Sequence, residues 1–86
     1  MKSLIKNYIG LLTKEKVKEF SLNNNINLTN QEIEYLLNLV KSKYDDILRD
    51  DSKYLEDLKN HIRPSECKKV KNLYLHYKNR YKGYLF

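Results

Sequence analysis

Glycine and proline are scarce in this sequence, and that scarcity limits the folds open to it. The 86 residues include only two glycines and one proline. Sandwiches and barrels of β-strands need many tight turns, whose backbone geometry depends on these two residues. Apolar residues make up 41% of the chain and recur along its whole length, as in folded domains. We therefore predict one all-α domain over residues 1–86, a compact bundle of four to five short helices.

Capping residues predict where the helices begin. Thr13 can cap one helix, and Thr29 with Glu32 forms a capping box in "TNQE". Pro64 suits the first turn of a last helix, because proline has no amide hydrogen to lose there. The predicted helices span about 2–12, 14–23, 30 to 42 or 43, 53–61 after a cap by Asp51 or Ser52, and from 64 onward, with "YDDILRDDS" as a connector.

Apolar residues at helical spacing predict the face that each of the first four helices buries. The first helix is expected to pack into the core rather than lie on a membrane surface, because its polar face carries little charge. The segment "INL" is expected to be extended, with Ile26 and Leu28 directed inward. The other predicted inward residues are Leu4, Ile5, Tyr8, Leu11 and Leu12, with Ile9 at the edge, then Val17, Phe20, Ile33, Leu36, Leu37, Val40, Ile47, Leu48, Leu55, Leu58 and Ile62.

The last helix separates its tyrosines from its lysines. A helical wheel predicts a buried stripe of Cys67, Val70, Leu73, Tyr74, Tyr77, Tyr81 and Tyr84. A basic edge beside it holds Lys68, Lys71, Lys78 and Lys82, with Leu75 among them, and Lys69, His76 and Arg80 lie on the other flank. The tyrosines thus mainly complete the core, while the lysines border it.

Positive charge is concentrated at the two ends of the chain. Residues 1–67 hold eleven Lys or Arg and eleven Asp or Glu, so the net charge of +6 comes from six bases in residues 68–86. Residues 1–18 hold five lysines against Glu15 alone. Such asymmetry can steer a partner of opposite charge toward the basic ends.

No residue pattern predicts an enzyme, a metal site or a cofactor site. Cys67 is the only cysteine, and His61 and His76 lack a neighbouring nucleophile or carboxylate that would suggest a triad. The aspartates of 45–51 do not follow the ligand spacing of a calcium-binding EF-hand. The chain has no apolar run long enough to cross a membrane and no signal-peptide cleavage motif. We therefore predict a non-catalytic, cytoplasmic protein without metal, cofactor or membrane partner.

Two classes of partner remain open. A protein partner or a homodimer is favoured by the eight tyrosines, since exposed tyrosines are enriched in interfaces, and the predicted surface is Leu75, Tyr84 and Phe86. Nucleic acid is the alternative, with phosphate contacts expected from Lys68, Lys71, Lys78, Arg80 and Lys82. A third hypothesis is a small inhibitor or host-directed factor from a mobile element.

Three segments together resemble a known family. They are "LTKEKVKEF", "NINLTNQEIEYLLNLVKSKYDDIL" and "LEDLKNHIRPSECKKVKNLYLHYKNRY". Their order resembles the YqfT-like family of short uncharacterised proteins from Bacillus-type Firmicutes, whose closing helix has a P-E-x-x-x-K-V pattern matched here by Pro64, Glu66 and Val70. The resemblance implies a helical fold and a bacterial cytosolic setting, and it implies no active-site residue.

Overall fold

The computed structural model describes the backbone of residues 2–85 and the side chains of residues 6–80. Within this part, the chain is all-α and contains no strand. The radius of gyration is 12.4 Å, close to the roughly 12 Å expected of a compact chain of this length. In order, the elements are α1 (Lys2–Gly10), α2 (Lys14–Asn23), α3 (Asn30–Arg49), α4 (Ser52–Asp57), a 3₁₀ turn (Leu58–Asn60) and α5 (Pro64–Leu85).

The predicted caps of α2 and α3 are confirmed. The Thr13 hydroxyl accepts a hydrogen bond from the Lys16 amide at 3.2 Å. The Thr29 hydroxyl accepts one from the Glu32 amide at 3.2 Å, and the Glu32 carboxylate accepts one from the Thr29 amide at 2.8 Å. This reciprocal pair completes the capping box and fixes the start of α3, which only α5 exceeds in length among the described helices.

The predicted end of α3 at Ser42 or Lys43 coincides with a kink in the helix, but further helix follows where a connector was predicted. Lys43 leaves helical geometry, with φ −126° and ψ 15°, but the helix resumes beyond this kink and continues to Arg49. The stretch from 44 to 49 contains no glycine or proline to stop a helix, and Ile47 continues the apolar lining of the fold. Most of the predicted acidic connector is therefore helical.

The fourth helix is shorter than predicted. The side chain that accepts hydrogen bonds at its start is Asp50 rather than Asp51. Asp50 accepts hydrogen bonds from the amide of Ser52 at 3.2 Å and from its hydroxyl at 2.7 Å. Asp51 occupies the capping position but makes no side-chain cap bond there. The helix narrows into the 3₁₀ turn after Asp57. The carboxylate of Asp51 is consequently available to α5.

The core lies where the 24–29 connector, the 3₁₀ turn and the start of α5 meet α3. Its buried members include most of the residues that apolar spacing predicted in this region. They are Ile26, Leu28, Ile33, Leu58, Ile62 and Cys67, each at most 9% exposed. Val17, Leu36, Leu55, Val70 and Leu73 pack around them at partial exposure. The predicted extended segment with Ile26 and Leu28 inward is confirmed.

The predicted burial of Tyr8 and Leu11 is wrong, whereas Leu12, also predicted inward, is half-buried. Tyr8 is 69% exposed and Leu11 is 67% exposed, whereas Ile9 is only 8% exposed. The helix ends at Gly10, so Leu11 lies in a turn where a helical wheel no longer applies. The helix contacts α3, and Ile9, which was predicted only at the edge of the buried face, is buried while Tyr8 faces solvent. The predictions for Leu4 and Ile5 lie outside the described side chains.

Candidate binding surfaces

Exposed apolar side chains lie on α1, in the turn that follows it and on α2. Tyr8 and Leu11 are joined by a backbone hydrogen bond, from the Leu11 amide to the Tyr8 carbonyl. The Lys16 ammonium donates to the Leu11 carbonyl at 3.3 Å, which sets one face of α2 beside Leu11. Phe20 lies one turn further along that face, and its ring centroid is 5.9 Å from that of Tyr77 on α5. We call Tyr8, Leu11, Phe20 and Tyr77 the apolar strip.

Phe20 was predicted to be buried, but it is 47% exposed. One side of its ring packs against Tyr77, which is half-buried, and the rest faces solvent. Apolar side chains scattered singly on a surface are ordinary, whereas Phe20 and Tyr77 are in contact across two helices. The strip therefore has the composition of an interface, with three aromatic residues and one leucine.

The strip runs through the most basic segments of the chain. Tyr8 and Leu11 belong to residues 1–18, which carry five lysines and one acid. Tyr77 belongs to residues 68–86, which carry six bases and no acid. Three of the four strip residues therefore belong to segments with an excess of positive charge, which favours an acidic partner.

The predicted C-terminal partner surface falls only partly within the described residues. Leu75 is 40% exposed and lies on α5. Tyr84 and Phe86 lie outside the described side chains, so the structure does not address them. The predicted surface of Leu75, Tyr84 and Phe86 stays a prediction.

The residues predicted to contact phosphates are not uniformly solvated. Lys68 and Arg80 are exposed, and Lys71 is half-buried. The Lys78 ammonium lies 2.7 Å from an Asp51 carboxylate oxygen, with only 33% of its side chain exposed. Lys82 lies outside the described side chains. Lys78 thus already contributes its charge to an internal pair.

Asp51 ties α5 to the start of α4. One oxygen of its carboxylate accepts from the Lys78 ammonium at 2.7 Å and from the Tyr74 hydroxyl at 2.8 Å. Burial alone would raise the pKa of Asp51, but the hydrogen bonds from Lys78 and Tyr74 outweigh it, and the pKa lies below its ordinary value. Burial and the neighbouring carboxylate raise the pKa of Tyr74 well above its usual range. The cluster is therefore an ionised carboxylate held by a neutral phenol and an ammonium.

Glu32 and Arg63 form a second polar cluster, at the start of α3. The Glu32 side chain is only 5% exposed. Its carboxylate accepts from the Arg63 backbone amide at 2.8 Å and from the Arg63 guanidinium at 3.1 and 3.2 Å. Burial opposes ionisation, but the hydrogen bonds from Arg63 and from the amides of Thr29 and Arg63 lower the pKa of Glu32 to about 2.

The same cluster holds the connector between α2 and α3. The Arg63 guanidinium donates to the Asn27 carbonyl, and the Asn27 amide donates to Glu66 at 3.0 Å. Lys69 donates to the Asn25 carbonyl at 3.2 Å. Sequence analysis gave Glu32 only a local role in the capping box and assigned Glu66 no contact. Their partners Arg63 and Asn27 lie 31 and 39 residues away along the chain, so no local sequence pattern predicts these contacts.

The remaining residues considered for catalysis or metal binding, Cys67, His61 and His76, pack against neighbouring side chains. Cys67 is buried, as predicted, at 5% exposure. His61 stacks on the Tyr35 ring at 4.0 Å between centroids, and His76 meets the Tyr77 ring edge-on. Among the residues that the structure describes, no group of three or more His, Cys, Asp or Glu could hold a metal ion.

The fold and these surfaces define the chain as a small all-α bundle with an exposed apolar strip. In the described part, none of the helices combines the length and the apolar character that a membrane span requires. No family model, curated protein or solved structure matched the chain when it was compared with them. The resemblance to the YqfT-like family and the cytoplasmic setting stay predictions.

Proposed function

We propose that the chain is a non-catalytic protein-binding module that docks an acidic protein on the apolar strip. The observations that carry the proposal are the exposure of Tyr8 and Leu11, at 69% and 67%, and the partly exposed ring pair of Phe20 and Tyr77. Aromatic anchors flanked by near-neutral contacts supply most of the affinity in protein interfaces. The basic surroundings would speed encounter with an acidic partner. An inhibitor of another protein is one form that this function can take.

A homodimer through the same strip is the less favoured form of protein binding. Two copies would bring together the basic segments that flank the strip, and like charges at an interface weaken association. Nucleic acid remains the alternative partner through Lys68, Lys71, Lys78, Arg80 and Lys82. Nucleic acid ranks second because Lys78 would have to give up its ion pair with Asp51 in order to neutralise a phosphate.

Affinity capture with matched variants tests the proposal. The wild-type chain, a Tyr8→Asp, Leu11→Asp variant and a Leu22→Asp control are immobilised and exposed to extract from the source cell, with and without nuclease. Leu22 is 51% exposed and lies on the opposite side of α2 from Phe20. Because all three residues are exposed, the variants are expected to fold, which circular dichroism verifies.

A protein that survives nuclease treatment is expected on the wild type and on the Leu22→Asp control. Its recovery on the double variant is expected to fall by about tenfold or more, since losing two anchors of about 1 kcal/mol each exceeds one decade in affinity. Equal recovery on all three chains would contradict the proposal. Loss of every captured species on nuclease treatment would transfer support to nucleic acid.

A further inference from the structure

The interior of the bundle contains an open cavity, which we call the cup. Its volume is 330 Å³, and its walls come from α2, the 24–29 connector, α3, α4 and α5. Ile26, Leu28 and Leu58 form its buried base. Leu12, Phe20 and Tyr77 are among its wall residues and have greater exposure. The cup is therefore a concave site walled on several sides, beside the apolar strip.

We propose that the cup binds one small, uncharged apolar molecule. Its volume falls at the lower end of the roughly 300–1,000 Å³ typical of small-molecule sites. A water-sized group of atoms takes about 30 Å³ in a liquid, so the cup has room for on the order of ten carbon atoms.

Water is a poor occupant of the cup because the polar side chains in its wall already have partners. The Ser21 hydroxyl donates to the Val17 carbonyl at 2.8 Å, and Asp51 accepts from Tyr74 and Lys78. The Tyr54 hydroxyl donates to Asp46 at 3.0 Å. An ordered water needs two to four polar partners, and the remaining wall is aliphatic or aromatic. Leaving so much apolar surface unfilled costs a small domain a large part of its stability.

A partner helix is too large for the cup. An α-helix with its side chains is about 10–12 Å across, so one turn of 5.4 Å occupies roughly 400–600 Å³. The cavity of 330 Å³ takes less than one such turn. A small molecule of about ten carbon atoms fits this volume, whereas a turn of helix does not.

The wall of the cup also selects against charge. Asp51 is the one carboxylate among the wall residues, and the Lys78 ammonium compensates its charge at 2.7 Å, so the pair is neutral overall. A charged headgroup would have to break that pair or lie unpaired beside apolar side chains, which is costly at partial burial. An uncharged apolar ligand leaves the ion pair intact.

The test uses 1-decanol, decanoate and decylamine as probes, each below its aggregation limit, against the full chain. Binding is followed by methyl resonances in NMR spectra and by thermal unfolding. Val40→Phe and Ile47→Phe each reduce the space in the cup, and either one that folds is sufficient. Leu22→Phe is the control, since Leu22 is exposed and is not part of the wall.

With 1-decanol at about a hundredfold excess over its dissociation constant, the unfolding midpoint of the wild type and of the control is expected to rise by roughly 10 °C or more. The resonances of Leu36, Leu39 and Val70 should shift, and a folded cup-filling variant should bind at least about tenfold more weakly. Absence of 1-decanol binding to the wild type, or unchanged affinity in a folded Phe variant, would overturn the proposal. Tighter binding of decanoate or decylamine than of 1-decanol would overturn the assignment of an uncharged ligand.

Discussion

At the scale of single residues, two buried or half-buried carboxylates organise the fold. Glu32 joins the start of α3 to the start of α5 through Arg63, and Asp51 joins α4 to the middle of α5 through Tyr74 and Lys78. Removing one member of such a cluster leaves its partners without compensation, which costs more than the loss of an exposed ion pair. The two clusters therefore fix the position of α5 against the rest of the bundle.

The Glu32→Gln variant tests the first cluster. The pKa of Glu32 is lowered from 4.5 to about 2, so the folded state favours the ionised form. Its contribution to the free energy of unfolding is complete above pH 4.5 and is lost as the pH falls toward 2. We expect the variant to lose roughly 2–3 kcal/mol at pH 7, and to differ little from wild type below pH 2. Urea denaturation across this pH range measures both quantities.

Glu34→Gln is the matched control for that variant. Glu34 lies two residues away on the same helix, and its ion pair with Lys14 is about half exposed on both sides. Its removal is expected to change the free energy of unfolding by less than about 0.5 kcal/mol at any pH in the range. Equal losses of unfolding free energy in Glu32→Gln and Glu34→Gln would refute the role assigned to Glu32. So would a Glu32→Gln variant that loses as much stability on acidification as the wild type does.

At the scale of elements, the local motifs predicted the helix starts well. Thr13, Thr29 and Pro64 begin α2, α3 and α5 as expected, because a cap depends on residues within one turn of it. The alternation of Ile26 and Leu28 likewise predicted their burial in the connector. These features could be predicted because the interactions that produce them are close in sequence.

The features that sequence analysis missed depend on distant contacts. Ile9 is buried and Tyr8 is exposed on α1, which contacts α3, whereas apolar spacing placed Ile9 only at the edge of the buried face. The continuation of α3 past Lys43 follows from the absence of a stop rather than from a positive motif. Of the candidate surfaces, Leu75 was predicted from the sequence, whereas the strip required knowing which side of α1 faces outward.

The connector between α2 and α3 gives an element-scale prediction. Asn25 has φ 62°, the left-handed region that costs most side chains free energy. Asn25→Gly is expected to keep or slightly raise the free energy of unfolding, whereas Asn25→Ala should lower it by about 1 kcal/mol. Asn23→Ala, inside α2, serves as the control and should be nearly neutral. Chemical denaturation ranks the variants, and a Gly variant less stable than the Ala variant would contradict this account.

At the scale of the whole molecule, charge and apolar exposure coincide. Residues 19–67 carry ten acids against six bases and contain the acidic partners of the internal clusters, including Glu32 and Asp51. The basic ends contribute most of the apolar strip. Exposed apolar side chains in basic segments suit an acidic protein better than a nucleic acid, because phosphate contacts need exposed cations more than exposed rings.

Site-specific photo-crosslinking in the source cell tests this account most directly. A photoreactive phenylalanine analogue is placed at position 8, on the strip, and in a separate chain at position 22, on the opposite side of α2. Both sites are exposed, so the substitution should leave the fold intact. A discrete crosslink to one acidic protein from position 8, and none from position 22, is the predicted result. Equal crosslinking from both positions, or crosslinks that nuclease removes, would contradict the proposed docking surface.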